Sequence, residues 1–123
     1  MTPAAKSVLV FGLYLVVVGL GLVAAPNPFL APLGFPHVTD ESWPRIVGVL
    51  TLCLATYYCL AARAEMTAFF RWTVYVRVGV FLVLGAFVVL GLAPKPVALL
   101  GAIDLGAALW TASALRRAGS GFR

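Results

Sequence analysis

Four long apolar runs dominate this chain of 123 residues and leave it few folds to choose from. The first goes from Val8 to Ala25, eighteen residues without a charge. The others run from about Ile46 to Ala62, Ala68 to Leu92 and Pro96 to Leu115. A helix needs roughly 20 apolar residues to cross a bilayer core, and each run fits that length. None carries the polar stripe of a soluble core helix. None alternates apolar and polar residues with a period of two, as the strands of a membrane barrel do. The expected fold is all-α: a single domain, residues 1–123, forming an integral membrane four-helix bundle of two antiparallel hairpins.

Composition excludes the alternatives. Only 11% of residues are charged and 63% are hydrophobic, whereas a soluble domain carries roughly 25% charged residues to cover its surface. A water-soluble enzyme, a disordered tail and a disulfide scaffold are all ruled out. Cys53 and Cys59 are six residues apart in one run, which on a helix separates them by about 9 Å of rise and turns them to different faces. They read as small apolar residues.

The net charge of +5 does not form a patch that would follow nucleic-acid phosphates, so no nucleic-acid partner is expected. The basic residues sit at the ends of the apolar runs. With both termini on one side, that side holds Lys6, Arg63, Arg71, Arg116, Arg117 and Arg123, against Arg45 and Lys95 on the other. This bias predicts a multi-pass chain with both termini in the cytoplasm. Val23-Ala24-Ala25 before Pro26 resembles a signal cleavage site, but the preceding run is long for a signal peptide and is read as a retained span.

The segment from Pro26 to Ser42 is rich in Pro, Phe and Leu, so Phe29 to Phe35 is expected to lie in the interface or fold back on the bundle. Asp40 or Ser42 is expected to cap the second span. The short link from Arg63 to Thr67 predicts that spans two and three are antiparallel neighbours. Ala93-Pro94-Lys95-Pro96 predicts a second hairpin. Small residues recur at helical spacing: Gly12 and Gly19, then Gly48, Ala55 and Ala62, then Gly101, Ala108 and Ala112. Such faces let helices approach closely in lipid.

Charges inside the spans carry the functional signal. Arg77 and Asp104 lie at similar depth, about 13 and 16 Å from the end that holds the termini, by helical rise. They are expected to interact directly or through one water, because an orphan charge near the bilayer centre costs about 2.5–3.5 kcal/mol on insertion scales. Arg45 opens span two on the outer side. Two arginines near one aspartate would suit an oxygen-rich head on an amphipathic molecule. Arg45, Arg77 and Asp104 are therefore the candidate ligand-binding residues, at the polar end of a cavity between spans two, three and four with walls from Leu52, Phe81 and Leu100. A structural ion pair, with Arg45 snorkelling to the headgroups, is the alternative. His37, Asp40 and Glu41 cluster in the outer loop, but their spacing matches no strong metal motif, and no metal site is expected. The sequence assigns no catalytic residue and no cofactor.

Arg45-Ile46-Val47-Gly48 at the start of span two, Tyr57-Tyr58 and Ala61-Ala62-Arg63 near its close, and the four-span layout resemble the DoxX-like small bacterial membrane proteins. That resemblance implies an accessory or oxidoreductase-associated role and transfers no catalytic residue. Small multidrug transporters place a Glu in span one, which has no counterpart here, and the Gly-Arg-Asn-Thr type of motif of fluoride channels is missing. The leading expectation is an accessory subunit, or a binder of an amphipathic lipid- or quinone-like molecule, alone, as a homo-oligomer or in a larger membrane complex. A small enzyme on a lipid-soluble substrate, using Asp104 or the His37–Glu41 rim as acid–base groups, and an oligomeric transporter or channel subunit are the alternatives.

Overall fold

The computed structural model describes residues 1–119, so Arg123 of the basic tally lies outside the described residues. Four long helices account for most of the chain: α1 (Pro3–Ala24), α3 (Ser42–Arg63), α4 (Thr67–Val89) and α5 (Pro96–Arg117). A short helix α2 (Pro26–Leu30) and a 3-10 turn (Ala31–Leu33) lie between α1 and α3. All four long helices are long and apolar enough to cross a membrane. They start or finish outside the apolar runs because the charges flanking those runs are tolerated in end turns.

Local chemistry sets the ends. Thr2 caps α1 by accepting the Ala5 N–H at 3.2 Å, with Pro3 in the first turn. Asp40 accepts the Ser42 N–H at 3.0 Å and the Ser42 hydroxyl at 2.6 Å, tying off the start of α3. The apolar run of span three reaches Leu92, yet α4 stops at Val89. Gly91 takes φ +74°, and Leu92 N–H returns to Phe87 O at 2.8 Å while Gly91 N–H returns to Val88 O at 3.1 Å. That is the Schellman close, which glycine adopts without a Cβ penalty.

The turn between α3 and α4 uses the same closure with a less suited residue. Glu65 sits at φ +53°, a left-handed conformation that costs a non-glycine residue about 1–2 kcal/mol. Its carboxylate accepts the Thr2 N–H at 2.8 Å and the Thr2 hydroxyl at 2.7 Å, which holds the start of α1 to this turn. The Thr2 hydroxyl first, and then its N–H, keep the Glu65 carboxyl below its ordinary value. A group lowered on folding contributes at neutral pH and loses its contribution as pH falls through the folded value. The Thr2 amide resonance is therefore expected to titrate with a midpoint below that of a free glutamate and to be flat in Glu65→Gln. A midpoint at the free value would show that the clamp is not formed.

The packing differs from the order suggested by loop lengths. α1 packs along its length on α3, α4 packs on α5, and α1 also contacts α5 and, less, α4. α3 and α4 meet only marginally. The short link brings their ends together, but the small-residue face of α3 is taken by α1. Gly19 and Gly48 face each other so closely that a Cβ on Gly48 would sit 2.9 Å from Gly19 O. Gly12 likewise lies against Tyr58 and Cys59.

Buried side chains gather in the half that holds the termini: Ala5, Val8 and Phe11 of α1, Tyr58 and Ala62 of α3, Phe70 and Val74 of α4, Ala108 and Leu115 of α5. Large apolar side chains elsewhere point outward, among them Val17, Leu20, Leu54 and Leu82, giving an apolar exterior that water would not tolerate. In the other half the connector folds back on the bundle. Asn27 brackets Val38 with two 2.8 Å bonds, its amide donating to Val38 O and its carbonyl accepting from Val38 N. Phe29 lies against Gly21, and Gly34 reaches Pro96.

Candidate functional site

Arg77 is 1% exposed and lies on α4 one turn beyond Thr73. Long side chains on a helix lean toward its N-terminus. Arg77 accordingly folds back, and its Nε donates to Thr73 O at 3.2 Å while Nη2 donates to Thr111 Oγ1 on α5 at 3.0 Å. Thr111 Oγ1 donates to Ala107 O at 3.1 Å and shares a 2.7 Å hydrogen bond with the Ser7 hydroxyl of α1. The guanidinium carbon lies 4.8 Å from the Phe11 ring centroid and 5.8 Å from that of Tyr58, within cation–π range. One arginine thus ties α4 to α5 and α1 and meets α3 through Tyr58.

Two atoms in this cluster remain without a partner. Arg77 Nη1 and Thr73 Oγ1 are buried and make no hydrogen bond. Most buried polar atoms are paired, and those left over mark strain or a missing partner. Thr73 also lines a groove of about 240 Å³ between α3 and α4, together with Tyr57, Tyr58, Phe69 and Trp72. The groove exists because these two helices hardly touch.

Of the two arrangements expected for Arg77 and Asp104, the direct contact is not formed. Among the described residues no ion pair or hydrogen bond joins them, although they lie within electrostatic reach. Their Cα depths match, but α4 and α5 are antiparallel. Each side chain leans toward the start of its own helix, which sends Arg77 toward Thr111 and Asp104 away from it. Asp104 is half-buried. Ser7 faces Thr111 across α1 and α5, and two turns along each antiparallel helix bring Tyr14 opposite Asp104.

Arg45 does not join this group. It is exposed, and its Nε donates to Val23 O at 3.2 Å, satisfying a carbonyl in the last turn of α1. α3 packs against α1 and makes no substantial contact with α5. The cavity expected between spans two, three and four is likewise replaced by one of about 200 Å³ between α1, the connector and α5. Of the three expected wall residues only Leu100 lines it. Leu52 packs on Gly19, and Phe81 on Gly101.

His37, Asp40 and Glu41 do not converge. Among the described residues no three His, Cys, Asp or Glu side chains come together. Sequence reasoning overlooked Thr73 and Ser7, and placed Thr111 only on the weakly polar face around Asp104, because lone hydroxyls in apolar helices usually bond back to their own backbone. The signal was the four-residue spacing of Thr73 and Arg77, which puts both on one face. Comparison with family models, with curated proteins and with solved structures finds no match to this chain.

Proposed function

We propose that this is a multi-pass protein of a bacterial-type inner membrane, with both termini cytoplasmic, that binds an amphipathic lipid- or quinone-like molecule in the groove between α3 and α4. The observation that carries this reading is the pair of buried, unpartnered atoms, Arg77 Nη1 and Thr73 Oγ1, with Thr73 forming part of the groove wall. Both can donate a hydrogen bond. A head with carbonyl oxygens would accept from them. A planar head would meet Tyr57, Tyr58, Phe69 and Trp72, and a hydrocarbon tail could leave along the lipid-facing side. The arginine is held in place by Thr73 O, Thr111 and two rings, so it is preorganised for such a head. The resemblance to DoxX-like proteins accords with a binding or accessory role, and the open α3–α4 side is where a larger membrane complex would meet the ligand.

Thr73→Val is the discriminating change, because it keeps shape and removes only the unpartnered hydroxyl. Losing an unsatisfied buried group should leave the melting temperature unchanged or raise it. In detergent, a decyl-substituted benzoquinone is expected to quench Trp72 fluorescence, and Thr73→Val to weaken its binding about tenfold, the worth of about 1.4 kcal/mol. Equal affinity in both proteins, or an equal response to decylbenzene, would remove the hydroxyl and the arginine from any binding role.

A further inference from the structure

A second polar group is left over beside a different cavity. Asp104 forms no hydrogen bond or ion pair among the described residues, and the arginine expected to pair with it donates instead to Thr73 O and Thr111 Oγ1. One turn before Asp104 on α5 lies Leu100, and next to it lies Ile103; both line the cavity of about 200 Å³ beneath the connector. Tyr14, opposite Asp104 in the α1–α5 register, is the one lining residue with a polar side chain. The rest of the wall is apolar, with Val18 and Leu22 from α1 and Phe29 and Phe35 from the connector. The volume exceeds the roughly 150 Å³ of an apolar cavity that holds benzene, so it has room for a ring or part of an alkyl chain.

We infer that this cavity is a site for a cationic amphiphile, whose apolar part fills the space between α1, the connector and α5 and whose ammonium rests on the Asp104 carboxylate and the Tyr14 hydroxyl. Asp104 stands beside the lining residues Leu100 and Ile103, within electrostatic reach of Tyr14 at the wall, and a half-buried carboxylate without a hydrogen bond gains from a cation that brings its own hydrophobic cover. Among the described residues no basic side chain contacts Asp104 directly, although Arg77 lies within electrostatic reach. Arg45 is tied to Val23 O at the outer end of α1, Lys95 is exposed just before α5, and Arg77 leans the other way. The connector is held over the cavity by the Asn27–Val38 bracket, so the apolar walls stand ready before a ligand arrives. This site is independent of the α3–α4 groove, and its ligand has the opposite charge preference.

Isothermal titration in an uncharged detergent, with dodecylammonium, dodecanol and dodecanoate as probes, tests the inference. The full chain is expected to bind dodecylammonium at least tenfold more tightly than dodecanoate. Asp104→Asn should bring the two to parity while keeping dodecanol binding. Leu100→Trp, which fills the cavity, should weaken all binding of the amine and the alcohol. If Asp104→Asn is not recovered folded, Tyr14→Phe takes its place and should lower amine affinity alone. Thr73→Val should leave amine binding unchanged, which separates this site from the quinone reading. An amine no tighter than the carboxylate, a preference that survives Asp104→Asn, or a loss with Thr73→Val would each overturn the assignment.

Discussion

Replacing Gly48 with valine is expected to separate α1 from α3 and to remove the cooperative thermal transition of the protein in detergent. A Cβ at this position would lie 2.8 Å from Val23 Cγ2, 2.9 Å from Leu22 Cβ and 2.9 Å from Gly19 O. The last of these is backbone, which no rotamer change can move aside. The contact is reciprocal, since a Cβ on Gly19 would come within 3.0 Å of Gly48 O. Overpacking by a methyl group costs about 1–3 kcal/mol in a well-packed core, so Gly48→Ala should already lower the melting temperature. Valine adds two more carbons to the same space and has a stiff χ1. Gly79 provides the control, because a Cβ there would meet nothing within 4 Å. Gly79→Ala should be neutral or mildly stabilising, as expected for removing a glycine from a helix interior. Equal transitions for Gly48→Val and Gly79→Ala would mean that the close α1–α3 contact does not hold the bundle together.

Arg77 should separate two kinds of substitution. Arg77→Ala removes the links from α4 to Thr111 and to the Phe11 and Tyr58 rings, and it leaves a hole where the four helices meet. Large-to-small changes in a core cost about 2–5 kcal/mol, and a loss of that size is expected. Arg77→Met keeps most of the stem and removes the buried charge. Replacing buried ionic groups by well-packed apolar ones is often neutral or stabilising. Thr111 would still have Ser7 and Ala107 O as partners. Arg77→Met is therefore expected to melt within about 1.5 kcal/mol of the parent, yet to lose binding of the decyl benzoquinone. Equal melting of the Ala and Met variants would show that the hole is closed by repacking. Binding retained by Arg77→Met would place the quinone head elsewhere.

The spans were legible because length and apolarity are summed over many residues, and single errors cancel. The small-residue faces of α1 and α3 were legible for the same reason: Gly12, Gly19, Gly48, Ala55 and Ala62 repeat at helical spacing and all are buried. The folding back of Phe29 to Phe35 followed from their apolarity. What escaped was direction. Matching Arg77 with Asp104 by rise alone treats a charge as a point at its Cα, whereas an arginine carries its charge about a turn toward its helix start. Neighbour order escaped too, because a short link constrains only helix ends, while the α1–α3 contact is decided by which faces can come close. Arg45 shows a third limit. Its partner, Val23 O, is a backbone atom in the last turn of α1, and every helix end offers such atoms, so no residue pattern announces the bond. Glu65 in a left-handed conformation is likewise set by a contact to Thr2, far away in sequence.

The bond between Arg77 Nη2 and Thr111 Oγ1 joins a helix made earlier in synthesis to one made later. While α4 is complete and α5 is still being translated, the guanidinium can reach Thr73 O, Phe11 and Tyr58 but not yet Thr111. A lone arginine helix enters lipid reluctantly, so on the membrane reading proposed above α4 is expected to wait until α5 can enter with it. α1 and α3 pack on each other without α5, since Gly19 and Gly48 meet backbone to backbone and Gly12 lies against Tyr58 and Cys59. On that reading assembly is expected in two stages, an early glycine-sealed pair of α1 and α3 followed by α4 and α5 entering as one unit, and a ribosome stalled before α5 would leave α4 waiting.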